Sequence, residues 1–169
     1  MPLLNLTRCL FESIHIGSKT FFDVEIALKG CPMKILIVDD EFTNRLLLQE
    51  ISKEFARTHL AVDGAEAVTA VTEAMESGEP YDVIFLDIMM PNMNGHEALK
   101  KIRQVEESRG FSVGQGAKVI MVTALGDKKN VLEAFKEEAD GYLVKPLEKS
   151  KLIRQLQKLE LLPLEPEPN

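Results

Sequence analysis

The sequence predicts an α/β fold in which a doubly wound sheet of five parallel strands lies between two layers of helices. Two observations predict this fold: short runs that are apolar at every position, and stretches of helical period that separate these runs along the 169-residue chain. A strand that is apolar at every position is buried on both faces, which is typical of a parallel sheet covered by helices. Alternating strands and helices are joined by right-handed crossovers, and these produce a doubly wound sheet.

The predicted strands lie between residues 35 and 144. A more polar run at 57–62 is interpreted as a strand at an edge of the sheet, where one side faces solvent. The four fully apolar runs cover residues 35–38, 83–86, 119–122 and 142–144.

Five stretches with apolar residues at helical spacing fill the intervals between and after the strands. The first begins after Asp40, a plausible N-cap, and its apolar positions include Phe42, Leu46 and Leu47. The later helices are predicted to begin at Asp63-Gly64, after Pro91, near Asp127 and at Glu148.

Composition and charge limit the classes of function. A net charge of −7 argues against nucleic acid or an anionic membrane as the main partner. No apolar stretch approaches the roughly 18 residues of a transmembrane helix, and polar residues interrupt the N-terminal segment, so no secretion signal is predicted. The two cysteines form neither a disulfide framework nor a metal site by count or spacing. We therefore expect a soluble, cytoplasmic protein.

The regular alternation divides the chain into three segments. Residues 33–162 form the predicted domain, and residues 163–169 form a polar tail rich in proline and glutamate. Residues 1–32 show no clear period. Because Met33 stands directly before the first strand, the preceding residues are either an over-extended start or a real appended segment.

The residues directly after the buried strands are candidates for a site, because ligands of an open parallel sheet bind at the carboxyl ends of its strands. Two acids follow the first strand and one follows the third. A hydroxyl follows the fourth strand and an ammonium follows the fifth. These residues are Asp39, Asp40, Asp87, Thr123 and Lys145, the last of which precedes Pro146.

Three carboxylates at one edge of a sheet repel one another unless a cation joins them. Oxygen ligands without histidine or cysteine select a hard cation, for which Mg2+ is the ordinary cellular choice. A carboxylate can also accept a phosphoryl group, while the Thr123 hydroxyl and the Lys145 ammonium can hold its oxygens. The set therefore predicts a Mg2+-dependent phospho-aspartate site.

Each of these residues has a simpler explanation when it is taken alone. Asp40 could be only a helix N-cap, and Asp87 could be a turn residue after a strand. Thr123 could be an ordinary β-branched strand residue, and Lys145 a solvated lysine in a turn. The functional hypothesis is favoured because all five fall at successive strand ends.

Four stretches in the same order are motifs of a known family. They are KILIVDD at 34–40, VIFLDIMMP at 83–91 followed by Asn94-Gly95, VTA at 122–124, and Lys145-Pro146. On these motifs, residues 33–162 resemble the receiver domain of two-component response regulators. The resemblance implies the CheY-like, flavodoxin-like fold with strand order 2-1-3-4-5.

The resemblance also implies the roles of the acidic residues. Asp87 would be the phosphoacceptor. Asp39 and Asp40 would bind Mg2+ together with Asp87 and the backbone carbonyl of Met89.

The remaining positions would hold the phosphoryl group and respond to it. Thr123 would be the switch hydroxyl and Lys145 the phosphate-binding lysine, with a cis peptide before Pro146. Tyr142 matches the aromatic residue that turns inward when Thr123 is drawn to the phosphoryl group. Ala124 is small and leaves the pocket open to a donor.

The implied function is that of a single-domain response regulator. A histidine kinase or phosphotransfer protein would donate the phosphoryl group, and the chain would catalyse only its own phosphorylation and dephosphorylation. A face made by the fourth helix, fifth strand and fifth helix, around 127–159, would then bind a downstream protein target. The chain would be a monomer or a phosphorylation-dependent dimer.

Two positions predict the lifetime of the phosphorylated form. Met89 and Leu125, each two residues beyond Asp87 and Thr123, carry no acid or amide to orient an attacking water. We therefore expect slow self-dephosphorylation.

Two other functions are alternatives. The chain could be a receiver-like docking module that is never phosphorylated, although the complete set of site residues argues against this. It could also be a phosphohydrolase with an aspartyl-phosphate intermediate, of the haloacid-dehalogenase type. That family needs a second acid two residues beyond its nucleophile, where this chain has Met89.

Overall fold

The computed structural model describes residues 32–112, 114–124 and 139–163 of the chain. The expectations for residues 1–31, for the helix near Asp127, for Leu125 and for the tail at 164–169 lie outside these residues. The helices and strands are numbered below within the described part of the chain.

Five parallel strands form one sheet in the order β2-β1-β3-β4-β5. This confirms the predicted doubly wound sheet, its strand order and the edge position of β2. The strands are β1 Met33–Val38, β2 Ala56–Ala61, β3 Val83–Asp87, β4 Lys118–Thr123 and β5 Gly141–Val144.

The register of the sheet brings the ends of the central strands to one edge. Asp87, the last residue of β3, pairs with Val122 of β4, and Thr123 pairs with Val144 of β5. Asp39 follows β1 directly, and its backbone N–H donates to the carbonyl of Ala61 at 3.3 Å. The polar residues that follow the strands therefore share the carboxyl edge of the sheet.

Four helices are described, and local sequence explains where two of them begin. The side chain of Asp63 accepts a hydrogen bond from the Glu66 N–H at the start of α2. At the start of α3, Asn94 and Glu97 form a reciprocal capping box. The helices are α1 Phe42–Ser52, α2 Gly64–Glu76, α3 Gly95–Ser108 and α4 Lys149–Lys158.

Helix α1 differs from its prediction at the start and in its buried face. Its N-cap residue is Glu41 instead of Asp40, and no side chain caps the helix. Phe42 is 66% exposed, whereas Leu48 and Ile51 are buried. Apolar residues occur around much of this helix, so their spacing alone did not identify the face that packs on the sheet. Leu46 and Leu47, expected on that face, are also exposed.

The core consists of two apolar layers, one on each face of the sheet. Alternate residues of each strand contribute to opposite layers, as the pleat of a strand requires. The first layer joins the sheet to α2 and α3 and contains Leu36, Leu86, Val71, Leu99 and Ile102. The second joins it to α1 and α4 and contains Ile37, Phe85, Leu48, Leu152 and Leu156.

Within the described residues, every helix is too short or too polar to cross a membrane.

Candidate functional site

The centre of the site is a lysine between two buried carboxylates. Lys145 Nζ lies 2.7 Å from Asp87 Oδ1 and 2.9 Å from Asp39 Oδ2. The three residues come from the carboxyl ends of β5, β3 and β1. Strands β1 and β3 are neighbours in the sheet, and β4 separates β3 from β5. One ammonium therefore connects the two acids at the carboxyl edge.

Asp87 is held at both of its carboxylate oxygens. Its Oδ1 accepts from Lys145, and its Oδ2 accepts from the backbone N–H of Met89 at 3.0 Å. Asp87 is only 3% exposed. Burial raises the pKa of its carboxyl group, because a charged form is disfavoured away from water; Lys145 opposes this change and the nearby charge of Asp39 reinforces it.

Lys145 keeps its positive charge in this position. Burial acts to lower its pKa, but the hydrogen bonds and charges of Asp87 and Asp39 outweigh burial, and the pKa of Lys145 rises above its ordinary value. The peptide bond between Lys145 and Pro146 is cis. The backbone N–H of Lys145 donates to the carbonyl of Thr123 at 2.8 Å, which fixes the start of this turn against β4.

The Asp39 carboxylate is surrounded by donors. Its Oδ1 accepts from the backbone N–H of Glu41 at 2.9 Å, and both of its oxygens accept from Asn44 Nδ2 at 3.1 Å. Arg45 Nη1 donates to the backbone carbonyl of Asp39 at 2.6 Å. Asn44 and Arg45 were not predicted as site residues. Their signal in the sequence is that polar residues stand one turn into a helix that follows an acidic strand end.

Asp40 does not join the two buried carboxylates. Its residue is exposed, while Asp39, directly before it, is fully buried. Among residues 32–112, 114–124 and 139–163, no three histidine, cysteine, aspartate or glutamate side chains surround a common point that could hold a metal ion. Contacts with Glu41 and Asn44 direct the Asp39 carboxylate toward Lys145. The convergence of three acids around one ion stays a prediction.

The charges of the site nevertheless fit a hard divalent cation. Asp39 and Asp87 carry two negative charges against the single positive charge of Lys145, and Asp40 adds a third acid at the same strand end. The available ligands are carboxylate and carbonyl oxygens, which Mg2+ prefers. Asp39, Asp40, Asp87 and the backbone carbonyl of Met89 stay the groups predicted to hold the ion.

The predicted switch residues lie at β4, which is next to the strand of Asp87, and on β5, which is the strand beyond β4. Thr123 is 2% exposed, and its hydroxyl donates to the carbonyl of Ala124 at a long 3.4 Å. Ala124 is exposed and Tyr142 is half-buried against the core layer of α2 and α3. Met89 is 67% exposed beside Asp87, so an apolar side chain lies at the entrance to the site.

Two contacts hold the loop from β3 to α3, one at the start of α3 and one at the tip of the loop. Gly95 packs so closely on β3 that a Cβ at this position would overlap the backbone carbonyl of Asp87. At the tip of the loop, Asn92 Nδ2 donates to Asp63 Oδ2 at 2.8 Å. These contacts define the path of the backbone around Met89.

Comparisons with known proteins agree with the fold. Residues 35–157 match the response regulator receiver domain family. The chemotaxis protein CheY of Thermotoga maritima is 31% identical over 131 residues, which cover 75% of this chain and 96% of that protein. CheY of Listeria monocytogenes is 35% identical over 128 residues, which cover 75% of this chain and 97% of that protein.

The chain also resembles part of a much larger protein. The osmosensing histidine protein kinase SLN1 of Saccharomyces cerevisiae is 31% identical over 122 residues, or 71% of this chain. The matched region is only 9% of that kinase.

Two solved structures have a similar fold. The CheX-CheY-BeF3-Mg+2 complex of Borrelia burgdorferi contains a chain with a TM-score of 0.67 and 29% identity, covering 82% of this chain and 93% of that one. The second structure is the receiver domain of the sensor histidine kinase PA1611 of Pseudomonas aeruginosa, with magnesium coordinated in its active site cleft. It has a TM-score of 0.63 and 26% identity, and the match covers 76% of this chain and 97% of that one. The chain therefore belongs to the response regulator receiver domain family and is a CheY-like receiver domain of two-component signalling.

Proposed function

We propose that this receiver accepts a phosphoryl group on Asp87 in a Mg2+-dependent reaction and signals through a protein-binding face. The observation that carries the proposal is the buried Asp87 carboxylate at 2.7 Å from Lys145. A nucleophile beside a fixed cation is suited to attack on an anionic group, because the cation attracts the group and stabilises its charge.

The chemistry follows from the two oxygens of Asp87. One oxygen attacks the phosphorus of a phosphohistidine or acyl phosphate, a new O–P bond forms, and the bond from phosphorus to the donor breaks. Lys145 then holds an oxygen of the transferred group, and the Thr123 hydroxyl is a second donor at the next strand end. When bound, Mg2+ would neutralise charge that the single ammonium leaves uncompensated.

The proposed partners are a histidine kinase or phosphotransfer protein and a downstream protein target. The donor approaches the carboxyl edge, where Ala124 is exposed and Met89 forms an apolar rim. The proposed output face includes β5 and α4, on which Val144 is 37% exposed and Tyr142 is half-buried. A change at Thr123 reaches this face directly, because Thr123 pairs with Val144 in the sheet.

The test is the intact-protein mass after incubation with acetyl phosphate, with and without Mg2+. We expect one phosphoryl adduct on the wild type with Mg2+ only, and none on Asp87→Asn. Glu76→Gln is the matched control, because it neutralises an exposed acid at the end of α2, where Glu76 pairs with Arg109. This variant should take up the phosphoryl group like the wild type.

The contrary result is a folded wild-type protein that gains no mass from acetyl phosphate with Mg2+ and none from a phosphorylated histidine kinase. That result would reject phosphorylation and favour a docking module. An adduct that persists on Asp87→Asn would place the acceptor elsewhere.

Metal binding has its own test in the absence of any phosphodonor. A ligand that binds the folded state stabilises it by mass action. We therefore expect millimolar Mg2+ to raise the melting temperature of the wild type, and to raise that of Asp40→Asn by a smaller amount. Equal rises in both proteins would exclude Asp40 as a ligand.

A further inference from the structure

The side-chain amide of Asn44 bridges two carboxylates on the first turn of α1. Its Nδ2 lies 3.1 Å from both oxygens of Asp39 and 3.0 Å from Glu41 Oε2. An amide nitrogen carries two hydrogens and can serve two acceptors at once. Asn44 thus places a donor between two negative groups that would otherwise repel each other.

Asp39 connects this amide to the proposed phosphoacceptor. Its carboxylate is fully buried and contacts Lys145 at 2.9 Å, and Lys145 in turn contacts Asp87 at 2.7 Å. The contacts form one continuous series, Asn44 to Asp39 to Lys145 to Asp87. A rotation of the Asp39 side chain therefore moves the ammonium that contacts Asp87.

The backbone of Asp39 is fixed independently of Asn44. Arg45 Nη1 donates to its carbonyl at 2.6 Å, and its own N–H donates to the carbonyl of Ala61 at 3.3 Å. The chain path thus survives the loss of the amide. The side-chain torsions of Asp39 depend more on Asn44, because without the amide its Oδ2 keeps only Lys145 and its Oδ1 keeps only the backbone N–H of Glu41 among these contacts.

We propose that Asn44 is a positioning residue that orients Asp39 and, through it, the ammonium of Lys145. This inference rests on the proposed function, because the purpose of the orientation is to place that ammonium where the oxygens of the incoming phosphoryl group arrive. Asn44 itself touches neither Asp87 nor the transferred group. Its contribution is geometric, and displacement of a catalytic group by a fraction of an ångström slows a reaction.

The first experiment measures phosphorylation by acetyl phosphate in the presence of saturating Mg2+. For Asn44→Ala we expect the maximal rate to fall about tenfold, with little change in the acetyl phosphate concentration that gives half the maximal rate. For Asn44→Asp, which has the same shape but replaces the donor with a third carboxylate, the rate should fall further.

Gln49→Ala is the matched control. Gln49 also lies on α1 and is half-buried, but its Nε2 donates to Thr58 Oγ1 at 3.2 Å on β2, away from the carboxylate pair. The Gln49→Ala variant therefore shows whether a general loss of stability in α1 is enough to slow phosphorylation. The rate of Gln49→Ala should equal that of the wild type.

The second experiment observes Lys145 directly, without phosphodonor or metal. An ammonium held between two carboxylates exchanges its protons slowly enough to give a side-chain 15N–1H NMR signal, which Lys145→Arg would identify by its absence. We expect Asn44→Ala to shift or broaden this signal and Gln49→Ala to leave it unchanged. If Asn44→Ala does not fold, Asn44→Ser supplies the same test, because a serine hydroxyl is too short to span both carboxylates.

The outcomes separate this inference from the proposed function. An unchanged Lys145 signal together with a wild-type rate in Asn44→Ala would overturn the positioning role. Equal losses of rate in Asn44→Ala and Gln49→Ala would also overturn it. A wild type that takes up no phosphoryl group would reject the proposed function, and the NMR signal would then still decide whether Asn44 orients Lys145.

Discussion

Buried charges lie at both ends of the sheet, and the two clusters differ in their balance. At the amino end, Arg103 contacts Glu106 at 2.7 Å and Asp140 at 2.9 Å, and Lys118 contacts Asp140 at 3.0 Å. Two cations thus face two acids. At the carboxyl end, a single ammonium of Lys145 faces two acids.

The amino-end cluster is also saturated with hydrogen bonds. Glu106 Oε1 accepts from the backbone N–H of Ala117 at 2.7 Å, and Asp140 Oδ2 accepts from the backbone N–H of Val119 at 2.9 Å. These bonds join α3 to the start of β4 and connect β4 to the segment before β5. Such a cluster stabilises the fold, and its balanced charges leave no net charge to attract a ligand. Burial and ion pairing are common to both clusters. An excess of one negative charge distinguishes the candidate site from the cluster at the amino end.

Neutralising an acid at the amino end should strongly destabilise the protein. Glu106→Gln leaves Arg103 and Lys118 facing Asp140 alone, so the cluster carries one excess positive charge. We expect the free energy of unfolding to fall by about 3 kcal/mol. Urea denaturation measures this change. The control is Glu76→Gln, whose exposed ion pair with Arg109 should contribute less than about 0.5 kcal/mol. Similar losses in both variants would remove the distinction between buried and surface pairs.

Introducing an amide at the carboxyl end should shorten the life of the phosphorylated protein. Met89→Asn places a group that can orient water beside Asp87, where Met89 is now exposed and apolar. We expect dephosphorylation to accelerate about tenfold. The rate of dephosphorylation is measured from the loss of the phosphoryl adduct over time by intact-protein mass. Met89→Leu is the control. A wild-type adduct that disappears within seconds would contradict the slow rate expected from Met89 and Leu125.

Neutralising an acid at the carboxyl end should have the opposite effect on stability from Glu106→Gln. Asp87→Asn leaves Lys145 paired with Asp39 alone, and the N–H of the exposed Met89 can bond to water. We expect the free energy of unfolding to rise by on the order of 1 kcal/mol. Urea denaturation measures this change. If the free energy of unfolding instead falls as much as in Glu106→Gln, the pair of Asp87 and Lys145 stabilises the fold.

The free energy of unfolding should also depend on pH through Asp87, although this change is smaller than those above. The pKa of Asp87 is raised in the folded protein, mainly by burial, so the native state binds the proton of this carboxyl group more tightly than the unfolded state does. Its ionisation therefore destabilises the fold fully above the raised pKa, and this penalty disappears as pH falls to the ordinary carboxyl value. Stability curves for wild type and Asp87→Asn should converge as the pH is lowered. A gap that widens toward acid would mean that the pKa is depressed.

The sequence was sufficient to predict the sheet and the place of the site. Fully apolar runs such as 83–86 predict buried parallel strands, and the carboxyl ends of such strands meet at one edge. For the same reason Asp39, Asp87 and Lys145 could be grouped before their distances were known.

The details that the sequence left open depend on the orientation of side chains. The direction in which the Asp39 side chain points is decided by contacts with Glu41 and Asn44. The exposure of Phe42 depends on how α1 is rotated against the sheet. The pair of Arg103 and Asp140 joins positions 37 residues apart, for which no local pattern exists.

Gly95 limits how this protein can change over evolutionary time. The first carbon of any side chain at this position would overlap the carbonyl of Asp87, so every replacement must displace the strand that carries Asp87. Glycine codons reach alanine, serine and other residues by a single base change, and each of these changes would damage the site without touching its chemistry. Lineages that keep the fold are therefore expected to keep this glycine, because its replacement would displace the central strand of the sheet.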